Sequence, residues 1–553
     1  MKHIYESDVG EYVRFSGAVF QIDEFPAGVY NKRKDAAFGS QKNHRRETVG
    51  DRSVRMNTIP RSSGVLLPVF SLPSPYGIGT LGQAAYDFVD FLAEAHQAWW
   101  QVLPVGPTSF GDSPYQSYST YAGNPYFVDL DLLVEEGVLT AEEVQSVFWG
   151  ADPARVDYEA QFRGRFGLLE KAAERGWLRD QKSVEEFVRE NPWLPDYALF
   201  MALKRHFDGA AWMQWPEEIR LRQPAAMERC REQLAADVRL FTYIQYQFFR
   251  QWKMLREYAA EKGVGIIGDL PIYVAMDSAD VWADPDSFQL DEAHLPTAVA
   301  GVPPDYFSED GQLWGNPLYR WDRMEQDGFG WWIRRIAGAE KLFDVLRIDH
   351  FRGFESYWAV PYGAETAREG QWVKGPGMAL VGALTGWFPK LRLIAEDLGL
   401  LTPAVEQLLS DSGLPGMKIL EFAFSTDQLS AYLPHTYPEN CVCYPGTHDN
   451  ATILAWMEEG GAEETAFARR YLGLTEEEGL HWGMIRGGMC SNANLFVAQM
   501  QDFLGLGAQA RTNVPGTLGG NWQWRLLPGQ LTAELAERIG EMTRMYGRSV
   551  CSA

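Results

Sequence analysis

From Arg61 onward, short apolar runs alternate with longer amphipathic stretches along the chain. The first run, SGVLLPVF, precedes a stretch whose apolar residues recur at the spacing of one helix face: Leu81, Ala85, Phe88 and Leu92. The next run, WWQVLPVGP, contains prolines that are typical of the end of a strand. Strand, helix and strand in this order predict an α/β protein.

The same alternation resumes in the second half of the chain. Five more strands are predicted in VGIIGDLPIYV, FDVLRIDHF, LRLIAEDLG, MKILEFAF and CVCYPGTHDN, and an eighth is placed in QARTNVPGTLGG. Eight strands that alternate with helices favour a closed (β/α)8 TIM barrel over an open doubly wound sheet. The sequence also lacks the glycine-rich fingerprints that hold phosphates in nucleotide-binding sheets.

Two long stretches interrupt the alternation within the predicted catalytic unit, residues 58–545. Residues 111–260 hold a polar aromatic loop and several helical segments, which indicates an inserted, mainly helical subdomain. One predicted helix there carries an apolar stripe formed by Phe241, Ile244, Phe248, Trp252 and Leu255. Residues 284–321 are expected to form a long irregular loop, and loops of this length in compact domains are usually functional.

The composition narrows the class of protein further. The formal net charge is −24, which argues against nucleic-acid and anionic-membrane partners. The five cysteines are few for the length and indicate a reducing compartment, and C-x-C at 441–443 has no second pair at metal-ligand spacing. No apolar run reaches the roughly 18 residues that span a bilayer, and no secretory signal is visible at the start. We therefore expect a cytoplasmic protein without a bound metal.

Aromatic residues make up 13% of the chain and include 20 Trp. Core packing accounts for many of them. The alternative is a groove lined with flat side chains, whose apolar faces and polar edges suit sugar rings.

Acidic residues follow four of the predicted strands, in the order Asp269, Asp349, Glu396 with Asp397, and Asp449. A single acid at a strand end is explained as well by a helix N-cap. Four such ends are harder to explain in this way. In a parallel barrel the C-terminal ends of all strands meet at one face, which carries the active site. The sequence therefore predicts that these acids converge in one pocket.

The stretch DVLRIDHFRGF shows how such a site could work. Side chains alternate across a strand, so Arg347 and Asp349 are expected to point the same way, and the guanidinium would favour ionised Asp349. Partial burial of Glu396 would raise its pKa and make it a proton donor. Two carboxyl groups that have different pKa values and lie about 5–5.5 Å from each other are typical of retaining glycoside chemistry. In this reading Asp349 is the nucleophile and Glu396 is the acid/base. Asp449 and His448 would hold sugar hydroxyls.

Several longer motifs occur in one order: DSPYQSYSTYAGNPY, GDLPIYVA, GVPPDYFSEDGQLWGNPLYRW, RIDHFRGFE, IAEDLG and GTHDNAT. Over residues 61–540 the sequence resembles the amylomaltases, the 4-α-glucanotransferases of glycoside hydrolase family 77. The resemblance implies a TIM barrel with subdomains inserted at the active-site face and without a C-terminal β-sandwich domain. It also implies transfer of α-1,4-glucan segments between maltooligosaccharides, with release of glucose and formation of cyclic glucans.

The resemblance also implies roles for individual residues. Asp349, Glu396 and Asp449 match the catalytic acids of the family. Its substrate-binding positions are matched by Arg347, His448, Asp269, Tyr115, Asp305, Tyr306, Phe307, Gln312, Trp314, Asn316 and Asn513. No cofactor is implied. Ala451 stands where an acidic residue is common in the family, and this departure leaves the expected chemistry unchanged.

The N-terminal segment, residues 1–57, has no counterpart in the resemblance. It mixes charged residues and glycine without a sustained apolar period, so we expect a weakly ordered extension. Because family members typically begin near RSSGVLLP, we expect translation to start naturally at Met56 and residues 1–55 to be an upstream addition.

Two alternatives to the transferase stay open. An α-glucan hydrolase could use the same barrel and the same acids, because the product depends on whether water or a sugar hydroxyl reaches the intermediate first. A non-catalytic glucan-binding protein is the other alternative. The presence of all three acids together with Arg347 and His448 argues against it.

Overall fold

The structure is a computed structural model that describes residues 12–15, 18–21, 58–109, 111–304, 308–399, 401–425, 430–517 and 519–549. The chain divides into two compact units, Met1–Asp51 and Arg52–Ala553. In the first unit, strands Tyr12–Phe15 and Ala18–Gln21 pair as an antiparallel hairpin. The other residues of the segment 1–57, including Met56, lie outside the described part of the chain. The predictions of a weakly ordered extension and of a start at Met56 concern these residues.

The second unit is built on eight strands: β1 Ser62–Leu66, β2 Trp99–Gln101, β3 Gly265–Pro271, β4 Val345–Asp349, β5 Arg392–Ala395, β6 Gly416–Ile419, β7 Cys441–Tyr444 and β8 Leu495–Gln499. They pair in the order β5-β4-β3-β2-β1-β8-β7-β6, and every pairing is parallel. The two outer strands meet through the backbone N–H of Ala395, which donates to the carbonyl oxygen of Pro415 at 2.9 Å. Beside it, Asp397 Oδ1 accepts from the N–H of Met417 at 2.6 Å. The predicted (β/α)8 barrel is confirmed.

The eighth strand lies earlier in the chain than predicted. It is Leu495–Gln499, a short fully buried run, whereas the predicted segment begins with the 3-10 helix Ala508–Ala510 and continues without strand structure in its described residues. The run LFVAQ continues directly into the apolar Met500, so its pattern shows neither alternation nor a turn signal at its end.

Two hydrophobic layers fix which way each strand residue points. Val345 belongs to the cluster inside the barrel, together with Ile394 of β5, whereas Leu346 and Ile348 pack in the layer between strands and helices. Because side chains alternate along a strand, Arg347 and Asp349 lie on the inner side with Val345. The predicted orientation of β4 is therefore found.

Helices surround the strands and fill the connections at Gln83–Glu94, Leu130–Glu135, Ala141–Gln145, Tyr158–Glu190, Leu194–His206, Glu217–Arg220, Pro224–Gln233, Ala235–Glu261, Ala279–Ala283, Trp321–Gln326, Gly330–Glu340, Met378–Trp387, Pro403–Ser412, Ile453–Glu459, Ala462–Leu472, Leu480–Met489, Met500–Phe503 and Ala533–Met545. The predicted stripe of Ala235–Glu261 is buried along its length. This helix is tied to the barrel where Trp252 Nε1 donates to the carbonyl oxygen of Leu342 at 2.9 Å.

A second, four-stranded antiparallel sheet stands beside the barrel. Its strands are Ala298–Val302, Gln312–Pro317, Ser356–Pro361 and Gln371–Lys374. The expectation that residues 284–321 form an irregular loop is wrong, because two of these strands lie within them. Gly301 in the first strand, and Gly315 and Pro317 in the second, hide the period-two pattern of a strand.

Among the helices of the described residues, none is both long enough and apolar enough to cross a membrane.

Candidate active site

The C-terminal end of the barrel holds a buried ion network between β3 and β4. Asp269 lies directly opposite Arg347 in the register of the two strands. Arg347 Nη1 is 2.7 Å from each carboxylate oxygen of Asp269 and 3.0 Å from Asp349 Oδ1. One guanidinium therefore holds two acids. Asp269 is fully buried beneath it, whereas the side chain of Asp349 is 29% exposed and reaches the surface of the pocket.

Asp349 stands next to Glu396 across neighbouring strands. Ile348 pairs with Ala395, and the N–H of Glu396 donates to the carbonyl oxygen of Ile348 at 3.0 Å. Glu396 follows the inward-pointing Ile394 by two residues, so both acids face the inside of the barrel. Neighbouring strands lie about 4.7–4.9 Å apart, which brings the two side chains alongside each other.

The guanidinium of Arg347 favours ionised Asp349, as predicted, but burial has the larger effect on the pKa of this group. Burial raises the pKa of Asp349 to about 6, and the Arg347 guanidinium offsets only part of that effect. At neutral pH the carboxyl group is nevertheless mostly ionised, as a nucleophile requires.

Glu396 is held by two backbone donors. The N–H of His350 donates to Oε2 at 2.7 Å, and the N–H of Leu398 donates to Oε1 at 2.8 Å. Burial, followed by the charge of Asp349, raises the pKa of Glu396 to about 8, although these N–H groups favour the ionised form. Glu396 is therefore protonated at neutral pH while its neighbour is ionised, and the expected direction of its pKa is found.

The connection that follows β7, residues 445–453, contributes to a second group of polar side chains. The hydroxyl of Tyr115 donates to Asp269 Oδ2 at 2.8 Å and lies 2.8 Å from His448 Nε2. His448 Nε2 is 3.3 Å from Asp449 Oδ2, and Asn513 Nδ2 donates to Asp449 Oδ1 at 2.6 Å. Although burial favours the neutral acid, His448 and Asn513 lower the pKa of Asp449 below its usual range. Tyr115 thus connects the two groups of acids.

The predicted residues of the segment 284–321 fall at different places. Trp314 contacts the ring of His350 edge-on at 4.8 Å, and its Nε1 donates to Gln312 Oε1 at 3.1 Å. Asn316 is buried and donates to the carbonyl oxygen of Val274 at 2.8 Å. Trp314 therefore lies at the site, whereas the side-chain N–H of Asn316 is used in a hydrogen bond to the backbone of Val274. The remaining three predicted residues, Asp305, Tyr306 and Phe307, lie outside the described residues.

Two residues of the site were not predicted. His350 has a left-handed backbone, with φ of 53°, which turns its N–H toward Glu396. Arg511 Nη2 donates to the carbonyl oxygen of Asp449 at 2.8 Å and fixes the backbone there. The backbone role of His350 has no signature in the side-chain pattern. Arg511 could have been suspected from its place two residues before Asn513.

A parallel barrel whose strands end in two neighbouring carboxyl groups, one with a pKa of about 6 and the other of about 8, has the arrangement of an enzyme that cleaves glycosidic bonds. The family model described as 4-alpha-glucanotransferase, glycoside hydrolase family 77, matches residues 67–531. The chain belongs to this family, and it is an enzyme with 4-alpha-glucanotransferase activity.

Individual relatives agree with this assignment over nearly their whole length. The 4-alpha-glucanotransferase of Clostridium butyricum is 49% identical over 483 residues, which cover 87% of this chain and 99% of the relative. That of Thermus thermophilus is 49% identical over 504 residues, which cover 89% and 99%. The solved amylomaltase of Streptococcus agalactiae, in complex with acarbose, is 43% identical with a TM-score of 0.87, over 89% of this chain and 100% of that one.

Proposed function

We propose that the enzyme transfers α-1,4-glucan segments between maltooligosaccharides by a retaining double displacement, with Asp349 as nucleophile and Glu396 as acid/base. The observation that carries this proposal is the placement of the two acids at the ends of the neighbouring strands β4 and β5, where burial and the charge of Asp349 raise the pKa of Glu396 above that of Asp349. A retaining mechanism needs the two carboxyl groups about 5–5.5 Å apart, and this separation is compatible with side chains that face each other from neighbouring strands about 4.7–4.9 Å apart.

In the first step, Asp349 attacks the anomeric carbon of the donor glucan and forms a glycosyl ester. The bond to the glycosidic oxygen breaks, and Glu396 gives its proton to that oxygen. The part of the donor that carried the reducing end leaves, which is free glucose when a single unit is removed.

In the second step, Glu396 takes the proton of the acceptor 4-hydroxyl, and the hydroxyl oxygen attacks the anomeric carbon. The ester bond breaks and Asp349 is regenerated. When the acceptor is the far end of the same chain, the product is a cyclic glucan. No cofactor takes part, since every proton and bond in this sequence is accounted for by the two acids and the glucan.

The surrounding groups serve the charge that develops on the sugar. Arg347 holds Asp349 in place and favours its ionised form when the ester breaks. Asp449, ionised through His448 and Asn513, is suited to bind sugar hydroxyls and to stabilise positive charge near the ring. Tyr115 couples these groups to Asp269.

We propose that residues 284–321 cover the cleft and favour transfer over hydrolysis. Trp314, which is next to His350, offers a flat face for an acceptor glucose and restricts access of water to the ester. Residues 58–545 form the catalytic unit in this proposal, and residues 111–260 are a subdomain inserted at its active-site face. The few cysteines favour a cytoplasmic location.

The test is incubation of the full-length enzyme with maltotriose, followed by chromatography and a reducing-end assay. We expect glucose and a ladder of longer maltooligosaccharides, with the total number of reducing ends unchanged. Accumulation of reducing ends would identify a hydrolase. The matched control is Asp349→Asn, and a control that retains activity would refute the assigned nucleophile.

A further inference from the structure

Trp372 is an exposed aromatic residue at the edge of the four-stranded antiparallel sheet. It lies in the edge strand Gln371–Lys374 and is 42% exposed. Val373, which follows it, packs against the hydrophobic core. Because side chains alternate along a strand, Trp372 and Lys374 both point away from that core. Single exposed aromatic residues are common on protein surfaces, so the meaning of this one depends on what holds its ring.

The ring of Trp372 is held in place by two contacts. The guanidinium of Arg352 lies over the ring, with its central carbon 4.2 Å from the ring centre, which is a favourable cation–π geometry. Trp358 pairs with Trp372 in the register of the sheet, and the two rings meet edge-to-face with their centres 5.2 Å apart. Trp358 is itself fixed, because its Nε1 donates to the carbonyl oxygen of Ala367 at 2.8 Å. Since Arg352 covers one face of the indole, the exposed area of the ring lies mainly on the opposite face.

The held ring belongs to the active-site end of the barrel. Arg352 is buried in a 3-10 helix that begins at Phe351, two residues after Asp349. The N–H of Phe351 donates to the carbonyl oxygen of Glu396 at 3.0 Å, so this helix packs on the chain at the second acid. Through the side chain of Arg352, Trp372 therefore contacts the segment that follows Asp349 at the C-terminal end of β4.

A charged donor group stands on the same side of the strand. Lys374 forms an ion pair with Glu355, and its side chain is 74% exposed. The carbonyl oxygen of Glu355 accepts from the N–H of Gly375 at 2.8 Å, which fixes the end of the strand to the segment after β4. A flat aromatic face near an accessible ammonium group suits a glucose unit, whose ring C–H groups pack on the indole while its hydroxyls bind the donor.

The same strand disfavours a protein partner that would add to the edge of the sheet. It is four residues long and carries the exposed charge of Lys374, and short, charged edge strands resist pairing with another chain. The contact between Trp372 and Arg352 makes the exposed ring continuous with the active-site end of the barrel. The occupant that these observations favour is therefore the glucan that enters the site.

We propose that Trp372 binds a glucose unit of a long α-1,4-glucan, outside the units that contact Asp349 and Glu396. The identity of this ligand rests on the proposed function. Short substrates do not reach the ring, so Trp372 determines a preference for chain length. It is a specificity-determining residue and takes no part in the cleavage of the glycosidic bond.

The first arm of the test measures binding without turnover. Full-length Asp349→Asn is titrated in a calorimeter with maltoheptaose and with maltotriose, alone and combined with a second substitution. Adding Trp372→Ala should raise the Kd for maltoheptaose about three- to tenfold, as expected for the loss of one aromatic contact, and leave the Kd for maltotriose within about twofold. Adding Trp372→Phe keeps a flat ring and should change the Kd for maltoheptaose by less than about twofold.

Trp387→Ala is the matched control, because Trp387 is 52% exposed and ends the next helix of the chain, Met378–Trp387. W387A should leave both dissociation constants unchanged.

The second arm measures transfer by the enzyme with Asp349 intact. W372A should raise KM for maltoheptaose about three- to tenfold while kcat stays constant, because binding energy far from the reacting bond is lost equally from the bound ground state and the transition state. Its kinetics on maltotriose should match those of the wild type. If W372A does not fold, Trp372→Thr replaces it, since threonine suits an edge strand.

Four results would overturn the proposal. One is an equal effect of W372A and W387A on maltoheptaose, including no effect of either. Another is a loss on maltotriose as large as that on maltoheptaose, because the substitution would then act by disturbing Arg352 and the pocket. A third is W372F as weak in binding as W372A. The fourth is a dimer in sedimentation that W372A abolishes while maltoheptaose binding is unchanged, which would assign this face to a second copy of the chain.

The proposed function is tested separately. A wild type that does not redistribute maltotriose would refute it, whereas the titrations would still report whether Trp372 binds glucan.

Discussion

Replacing Glu396 by Gln separates the two halves of the proposed reaction. The amide cannot give a proton to the leaving oxygen, and it cannot take one from the acceptor. Asp349 keeps its contact with Arg347 at 3.0 Å, so the nucleophile stays in place. The variant should therefore still form the glycosyl ester from a donor whose leaving group needs no proton.

The pKa values set the size of the effect. With Asp349 at about 6 and Glu396 at about 8, each acid is in its working form in about nine-tenths of the molecules at pH 7. The wild-type rate should rise with pH through about 6 and fall through about 8. Loss of general acid catalysis lowers kcat on maltotriose by about 10²–10⁴-fold in E396Q.

The assay is rapid-mix release of fluoride from an α-maltosyl fluoride. E396Q should give a burst of about one fluoride per active site, followed by slow turnover, because the second step still needs a base. The burst rate should rise with pH through about 6 and then stay constant, since the group that titrates at about 8 is gone. Asp349→Asn, folded to the same degree, should give no burst.

A burst in D349N would refute the nucleophile. Absence of a burst in folded E396Q would refute the separation of roles. An alkaline fall that persists in E396Q would show that another group titrates there.

Three further predictions follow from the packing of single side chains. Arg347→Met leaves Asp269 buried without its cation and should lower the free energy of unfolding in urea by about 3–5 kcal/mol, and a change below about 1 kcal/mol would contradict the ion network. Asn513→Ala removes the 2.6 Å bond to Asp449, so kcat on maltotriose should fall about tenfold with a smaller change in KM, and an unchanged kcat would refute this role. Phe248→Ala removes a fully buried ring and leaves a cavity in its place, so it should cost about 3–5 kcal/mol of stability in urea while the folded fraction keeps its kcat, and a stability loss under about 1 kcal/mol would contradict the packing.

The sequence predicted those features of the fold and the site that depend on a single physical rule. The inward direction of Arg347 and Asp349 follows from strand alternation, and the raised pKa of Glu396 follows from its apolar surroundings. The buried stripe of Ala235–Glu261 follows in the same way from helical spacing.

The remainder depended on interactions between distant segments. The balance between burial and Arg347 that sets the pKa of Asp349 cannot be judged before the depth of the pocket is known. The left-handed backbone of His350 is imposed by the path of the chain after β4, since histidine has only a weak preference for it.

The junction between β5 and β6 differs from the other strand pairings of the described barrel, because these two strands are not joined by a ladder of backbone hydrogen bonds. The two strands are joined there by a backbone hydrogen bond of Ala395 and by a hydrogen bond to the side chain of Asp397. Glu396 lies between these two residues in the chain. A small shift of this junction would move Glu396, the proposed proton donor, relative to Asp349 while the other seven strand pairings keep their register. Related enzymes could thus diverge in acid strength and in reach toward the acceptor through changes at a single seam.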